Sequence, residues 1–306
     1  LMKHYDNTAF NAIAQASPNA AWYQKSVVTK SIPGYGGVEE TNPLGIYSSI
    51  ILSNFVGKLN SAVSNAKYGQ AWVETFEDYR NYFVPNGITN HSLSPFYHAM
   101  AKSDINGYKF FNKNQTPSGL VSGNFTLDSL VAHTGVYSVK TNASTTISIT
   151  PKVNNKYFAY GVLPKVFNFA LDSTVSQKYT VELWGKGIGS LPYVSSSGTY
   201  PLAQVSPLID GWALYRTTVS INSGTAFSLT LPSGCNVDDL RVYPALANVK
   251  TYVYHPFKNY LMAVLDENNY ASLYEYNLRN DLVRMKKETE KGVITVQENI
   301  VNRIKR

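Results

Sequence analysis

The stretch 251–285, TYVYHPFKNYLMAVLDENNYASLYEYNLRNDLVRM, constrains the fold more than any other part of the chain. Aromatic and polar residues alternate in it, as in Tyr252/Tyr254 and Tyr270/Ser272/Tyr274/Tyr276. The pattern breaks at the polar clusters 266–269 and 279–281. A period of two puts successive side chains on opposite faces of an extended chain. The stretch therefore reads as strand, turn, strand, turn, strand. Repeated hairpins of this kind build surfaces and stalks, and nothing in the stretch has the arrangement of a reaction centre.

The same bias runs through the rest. The 306 residues include 23 Tyr against 20 Gly. Tyr, Thr and Val favour strands, whereas Asn and Ser favour turns. So many rings serve either sheet packing or sugar stacking, and both readings stay open at this point. The net charge is +7, yet only 15% of residues are charged. Eight Lys/Arg against four acids fall within 279–306, so the excess belongs to a basic tail. Such a tail binds anionic polymers or lies solvated along a last strand; no nucleic-acid partner is expected. The single cysteine, Cys235, excludes an internal disulfide framework and reads as a turn or core residue. No apolar run approaches the about 20 residues of a membrane helix, and 46–56 is interrupted by Ser48, Ser49, Ser53 and Asn54. No membrane insertion is expected. No signal peptide is visible at the start, so the chain is expected to be the C-terminal piece of a longer exported protein.

Strand-like segments separated by turn signals recur at 122–130, 137–141, 145–150, 157–163, 178–184, 212–221, 226–231 and 240–243. A further strand is possible at 165–171, and 185–211 reads as a rim loop. This spacing predicts an antiparallel β-sandwich. The expected division is a strand-rich N-terminal region over 1–70, a sandwich over 71–247 with an insertion at 80–120, and a hairpin repeat with a basic tail over 248–306.

Three blocks sharpen that expectation: Phe-Glu-Asp-Tyr at 76–79, Ala-His-Thr-Gly-Val-Tyr-Ser at 132–138, and Asp-Asp-Leu-Arg-Val-Tyr at 238–243. Together they resemble the galactose-binding-like jelly rolls of carbohydrate-binding modules. With the flanking blocks Asn-Pro-Leu-Gly-Ile-Tyr-Ser at 42–48 and Leu-Val-Arg-Met-Lys-Lys-Glu-Thr-Glu-Lys-Gly at 282–292, the chain looks like the C-terminal end of large RHS/YD-repeat-type secreted proteins of Bacteroidetes. His255, Asn269 and Asn277 depart from the repeat pattern. Asn still enters the left-handed region, so the turns are expected to survive.

The resemblance implies a mainly β jelly roll flanked by hairpins, and a structural calcium held near Glu77, Asp238 and Thr134, with Asp78 and Asp239 beside them. The same carboxylates also serve as turn caps or as partners of Arg241 and Lys140. Trp184, Tyr193, Trp212 and Tyr215 are candidate sugar platforms, and Trp184 and Trp212 also read as core. His91 and His98 match no common zinc spacing. No hydrolase, metalloprotease or phosphate-loop motif is present. The main functional reading is a non-catalytic structural or adhesive segment of an extracellular or outer-surface bacterial protein. Its partners would be the rest of a longer chain, associated surface proteins or the outer-membrane export machinery. The alternative is a glycan-binding accessory module of a polysaccharide-degrading enzyme. The aromatic face Tyr252/Tyr254/Tyr274/Tyr276 is expected to be covered by protein, and 1–70 and 251–306 to depend on each other.

Overall fold

The computed structural model describes residues 26–32, 36–52, 58–77, 121–122, 125–151, 170–171, 176–223, 225, 227–256 and 258–299. The expected insertion at 80–120, the strand at 157–163, most of that at 165–171, Asp78, His91 and His98 lie outside these residues. Among the described residues there is no helix.

In chain order the strands are β1 (Val27–Ile32), β2 (Gly36–Thr41), β3 (Tyr47–Leu52), β4 (Leu59–Ser64), β5 (Trp72–Glu74), β6 (Val121–Ser122), β7 (Phe125–Asp128), β8 (Ser138–Thr141), β9 (Thr145–Pro151), β10 (Ala170–Leu171) and β11 (Gln177–Lys186). Then come β12 (Tyr193–Ser195), β13 (Thr199–Pro201), β14 (Ala203–Gln204), β15 (Trp212–Ile221), β16 (Phe227–Leu231), β17 (Asn236–Pro244), β18 (Asn248–Tyr254), β19 (Leu261–Leu265), β20 (Ala271–Tyr276), β21 (Leu282–Thr289) and β22 (Gly292–Glu298). They form three sheets, antiparallel except for the β9–β10 pair.

A six-stranded sheet, β10-β9-β16-β12-β13 with β6 beside β9, faces a seven-stranded sheet, β14-β15-β11-β17-β8-β7 with β5 beside β17. Ile147, Val194 and Leu229 of the first meet Val181, Leu183, Tyr215, Leu240 and Val242 of the second in one buried cluster. Each fully buried aliphatic side chain there contributes about 1.5–3 kcal/mol. This is the expected jelly-roll sandwich. Phe76 and Leu240 share its core, and Leu240 pairs with Glu74.

The third sheet has nine strands, β1-β2-β3-β4-β18-β19-β20-β21-β22. Its two halves come from opposite ends of the chain and join where β4 pairs with β18. Its inner face carries Val63, Val249, Val253, Ala263, Leu265 and Ala271, all buried against the sandwich. The seven-stranded sheet is thus the middle layer of three, and its second face, bearing Trp184, Trp212, Leu214 and Tyr243, is buried as well.

The tyrosine expectation needs correction. Strand alternation puts Tyr252 and Tyr254 opposite the face carrying Val249, Thr251 and Val253, and it is this smaller-residue face that is buried. Compact side chains let the two sheets approach. Tyr252, Tyr254, Tyr274 and Tyr276 stay half-exposed; Tyr276 packs against Tyr260, their ring centres 4.2 Å apart, and the Lys58 ammonium lies over the Tyr254 ring.

Three hairpin turns share one construction. The side-chain oxygen of an Asx residue accepts the backbone N–H groups two and four positions on, in Asn42 (from Leu44 and Ile46), Asp266 (from Asn268 and Tyr270) and Asn277 (from Arg279 and Asp281). The residue three positions on is left-handed: Gly45 (φ 75°), Asn269 (φ 70°) and Asn280 (φ 65°). Gly and Asn are the residues that tolerate this region. The same device therefore shapes both halves of the nine-stranded sheet.

Candidate functional site

The motif blocks converge in space. The loop before β8 brings His133 and Thr134 over the start of β17, where Asp238 and Asp239 lie. Asp238 Oδ2 accepts the His133 and Thr134 amides at 2.9 and 3.3 Å, and its Oδ1 accepts the Asp239 amide at 2.8 Å. The Thr134 hydroxyl donates to Asp239, at 2.9 Å from both of its oxygens. Glu77 Oε1 accepts the Val136 and Tyr137 amides at 2.7 and 2.8 Å. Gly135 makes this possible: it has φ 65°, and a Cβ there would fall 2.3 Å from Glu77 Oε1.

His133 sits at the centre. Its Nδ1 lies 2.7 Å from Asp239 Oδ2 and its Nε2 lies 2.8 Å from Glu288 Oε1 on β21. Its ring stacks on Trp184 at 4.1 Å. Burial alone would pull the His133 pKa down, but its hydrogen bonds to Asp239 and Glu288, with their charges, outweigh burial and raise it to about 9. His133 is therefore an imidazolium at neutral pH. Burial, then the charges of Asp239 and Glu77, push Asp238 well above the usual carboxylate range.

The structure brings together Glu77, Thr134 and Asp238, the residues expected near a calcium: the Thr134 amide donates to Asp238, and Glu77 is close enough for its charge to act on Asp238. The Thr134 hydroxyl is spent on Asp239, the named carboxylate oxygens accept N–H groups, and the His133 imidazolium supplies positive charge. Among the described residues no three His, Cys, Asp or Glu side chains are placed to hold a metal ion.

A second polar cluster joins the layers. Arg241 is wholly buried and donates to the carbonyls of Val249 and Asp266 at 3.3 and 2.9 Å. Glu182 Oε1 lies 3.6 Å from its Nη1, an ion-pair distance, and Glu182 Oε2 accepts Arg216 Nε at 2.6 Å. Trp184 Nε1 donates to the Asn269 carbonyl at 2.7 Å. Sequence reasoning missed Glu182 and Glu288. The one available signal was an acid set within the apolar strand pattern of β11.

Of the proposed sugar platforms, Trp184 (0% exposed), Trp212 (4%) and Tyr215 (6%) are in the core. They are buried because the seven-stranded sheet is covered on both faces. Tyr193, 37% exposed, is the ring that faces solvent. It lies on the outer face of the six-stranded sheet, directly across from Thr230, which in turn pairs with Thr146. The two threonine hydroxyls are 3.1 Å apart. Directly opposed residues of antiparallel strands share a face, so ring and hydroxyls form one row.

No family model matches the chain, and no curated protein matches it. Solved structures similar to part of it include the GH26-CBM35 β-(1,4)-mannanase of Podospora anserina, with 14% identity and TM-score 0.28 over 44% of this chain and 27% of that one. The match spans about a quarter of that enzyme's length. The C-terminal CBM6 of a Zobellia galactanivorans laminarinase is similar at 15% identity and TM-score 0.25, over 41% of this chain and 94% of that one. A carbohydrate-binding module of Cellvibrio mixtus lichenase 5A, in complex with cellotriose, is similar at 14% identity and TM-score 0.25, over 42% and 93%. At these scores the likenesses carry no functional argument.

Proposed function

We propose that the chain is a non-catalytic glycan-binding module of an extracellular or surface-exposed bacterial protein. The observation that carries this reading is the Tyr193 row. An exposed ring covers the apolar face of a pyranose; beyond it in the same row Thr230 is buried and holds the half-buried Thr146 hydroxyl, which is placed to exchange hydrogen bonds with a sugar hydroxyl. The row is preformed on a sheet, so little ordering opposes binding. The experiment is a glycan array followed by titration of the strongest saccharide. Tyr193→Ala is expected to weaken binding at this face at least tenfold. An array on which the intact chain binds no saccharide overturns the reading.

A second reading, a structural segment of a large exported RHS-like protein, is favoured by one observation. Asx turns of one construction occur in the chain both before and after the sandwich strands, in one sheet. A chain that binds no glycan but associates with neighbouring segments of its parent protein would support it.

A further inference from the structure

The outer face of the nine-stranded sheet holds a trough of about 360 Å³, lined in part by Glu40, Ser48, Ile50, Ala62, Ser64 and Lys250. Strand register explains it. Glu40, Ser48, Ser64 and Asn248 are successive cross-strand partners on β2, β3, β4 and β18. They form a polar row across four strands, about 14 Å long at the usual strand spacing. Beside it runs a second row, Ile50, Ala62 and Lys250, also in direct register. The floor is low because Ser48, Ser64 and Ala62 are small. Glu267, from the turn after β19, closes one side.

We infer that this trough is a second saccharide-binding site, which takes a neutral oligosaccharide lying across the strands. The inference rests on the glycan-binding reading and adds a location and a ligand charge class. Two features select the occupant. A hydroxyl, amide and carboxylate row beside an aliphatic row matches a sugar chain, which presents hydroxyls at its edge and C–H groups on its face. The charges, Glu40 and Glu267 against Lys250, leave the trough without positive excess, so an anionic polymer gains nothing there. The row also crosses the ladder at right angles, whereas an added peptide strand would need a sheet edge.

The test uses the intact chain with cellohexaose, maltohexaose and mannohexaose as neutral probes and a polygalacturonate hexamer as the anionic one. Calorimetric titration of the best neutral probe is expected to show two sites. Ala62→Trp fills the trough and Asn248→Ala removes one end of its polar row. Each should lower the stoichiometry towards one or weaken one site at least tenfold, while Tyr193→Ala leaves the trough site intact. Binding unchanged in both trough variants, or preference for the anionic hexamer that these variants remove, overturns the inference and leaves the glycan reading standing. If no probe binds the intact chain, reading and inference fall together. Asn248 is an exposed strand residue, so its variant keeps the test valid should Ala62→Trp fail to fold.

Discussion

His133 Nε2 and Glu288 Oε1 lie 2.8 Å apart, with both side chains almost fully buried. The first belongs to a loop of the sandwich and the second to a hairpin of the nine-stranded sheet. The other Glu288 oxygen accepts the Ala271 amide at 2.7 Å, so one carboxylate holds both a hairpin and its neighbour in place.

Stability should therefore fall on the alkaline side. The folded pKa of His133, about 9, lies above its ordinary 6.5. Its contribution is fully present below pH 6.5 and is lost as pH rises through 9. The facing groups are Asp239 and Asp238 on β17, Glu288 on β21 and Glu77 after β5. The size is on the order of 3 kcal/mol. Urea midpoints measured from pH 6 to 9.5 should decline across this window. In Glu288→Gln the decline should shrink, and an unchanged slope would remove His133 as its cause.

Arg241→Ala should be among the most damaging single changes. It leaves the buried Glu182 with only the partly exposed Arg216 as its cation, and leaves the carbonyls of Val249 on β18 and Asp266 in the turn after β19 without this donor. Breaking a buried pair from one side costs about 3–5 kcal/mol. Arg241→Lys should rescue little, because an ammonium cannot span the same fork. Thermal melts of the two variants decide this, and a lysine variant as stable as the parent would contradict it.

Chelation should leave the melting temperature unchanged, since the His133 imidazolium provides the positive charge beside Asp239. The measurement is a scanning fluorimetry melt with and without EDTA, then with added calcium. A drop of several degrees on chelation, abolished by Asp238→Ala, would put a cation beside Glu77 and Asp238 after all.

Gly135→Ala should destabilise even though alanine is the smallest addition. The residue is left-handed, and the new Cβ would collide with Glu77 Oε1. A cost above about 1 kcal/mol is expected. A neutral result by urea denaturation would mean that the loop can shift away from Glu77.

The sandwich was legible because its strands alternate. The segment 212–221 was read with the bounds that β15 has, and 238–243 falls inside β17. The Asn and Asp turns were legible through their chemistry. What was hidden was nonlocal. Trp212 read both as platform and as core, and it is core: it belongs to a cluster against which Tyr270 and Val293, far along the chain, are packed, while Tyr215 on the opposite face is buried inside the sandwich. His133 and Glu288 are 155 positions apart, and no local pattern joins a loop histidine to a hairpin glutamate. The candidate face around Tyr193 was readable only as an exposed loop ring. Its threonine neighbours come from register, which alternation alone does not set across distant strands.

The join between β4 and β18 spans a long stretch of chain. Asn65 Nδ2 reaches the Leu246 carbonyl at 2.9 Å, although the two are 181 positions apart. The described strands between them, β5 to β17, belong to the two sandwich sheets, while β4 and β18 are neighbours one strand spacing apart. Closing a floppy loop of that length is entropically costly and slow. A sandwich already folded, with its two ends held side by side, removes most of that cost. A folded sandwich is thus a clasp that holds β4 and β18 within pairing distance, and the order expected from it is sandwich first and nine-stranded sheet after.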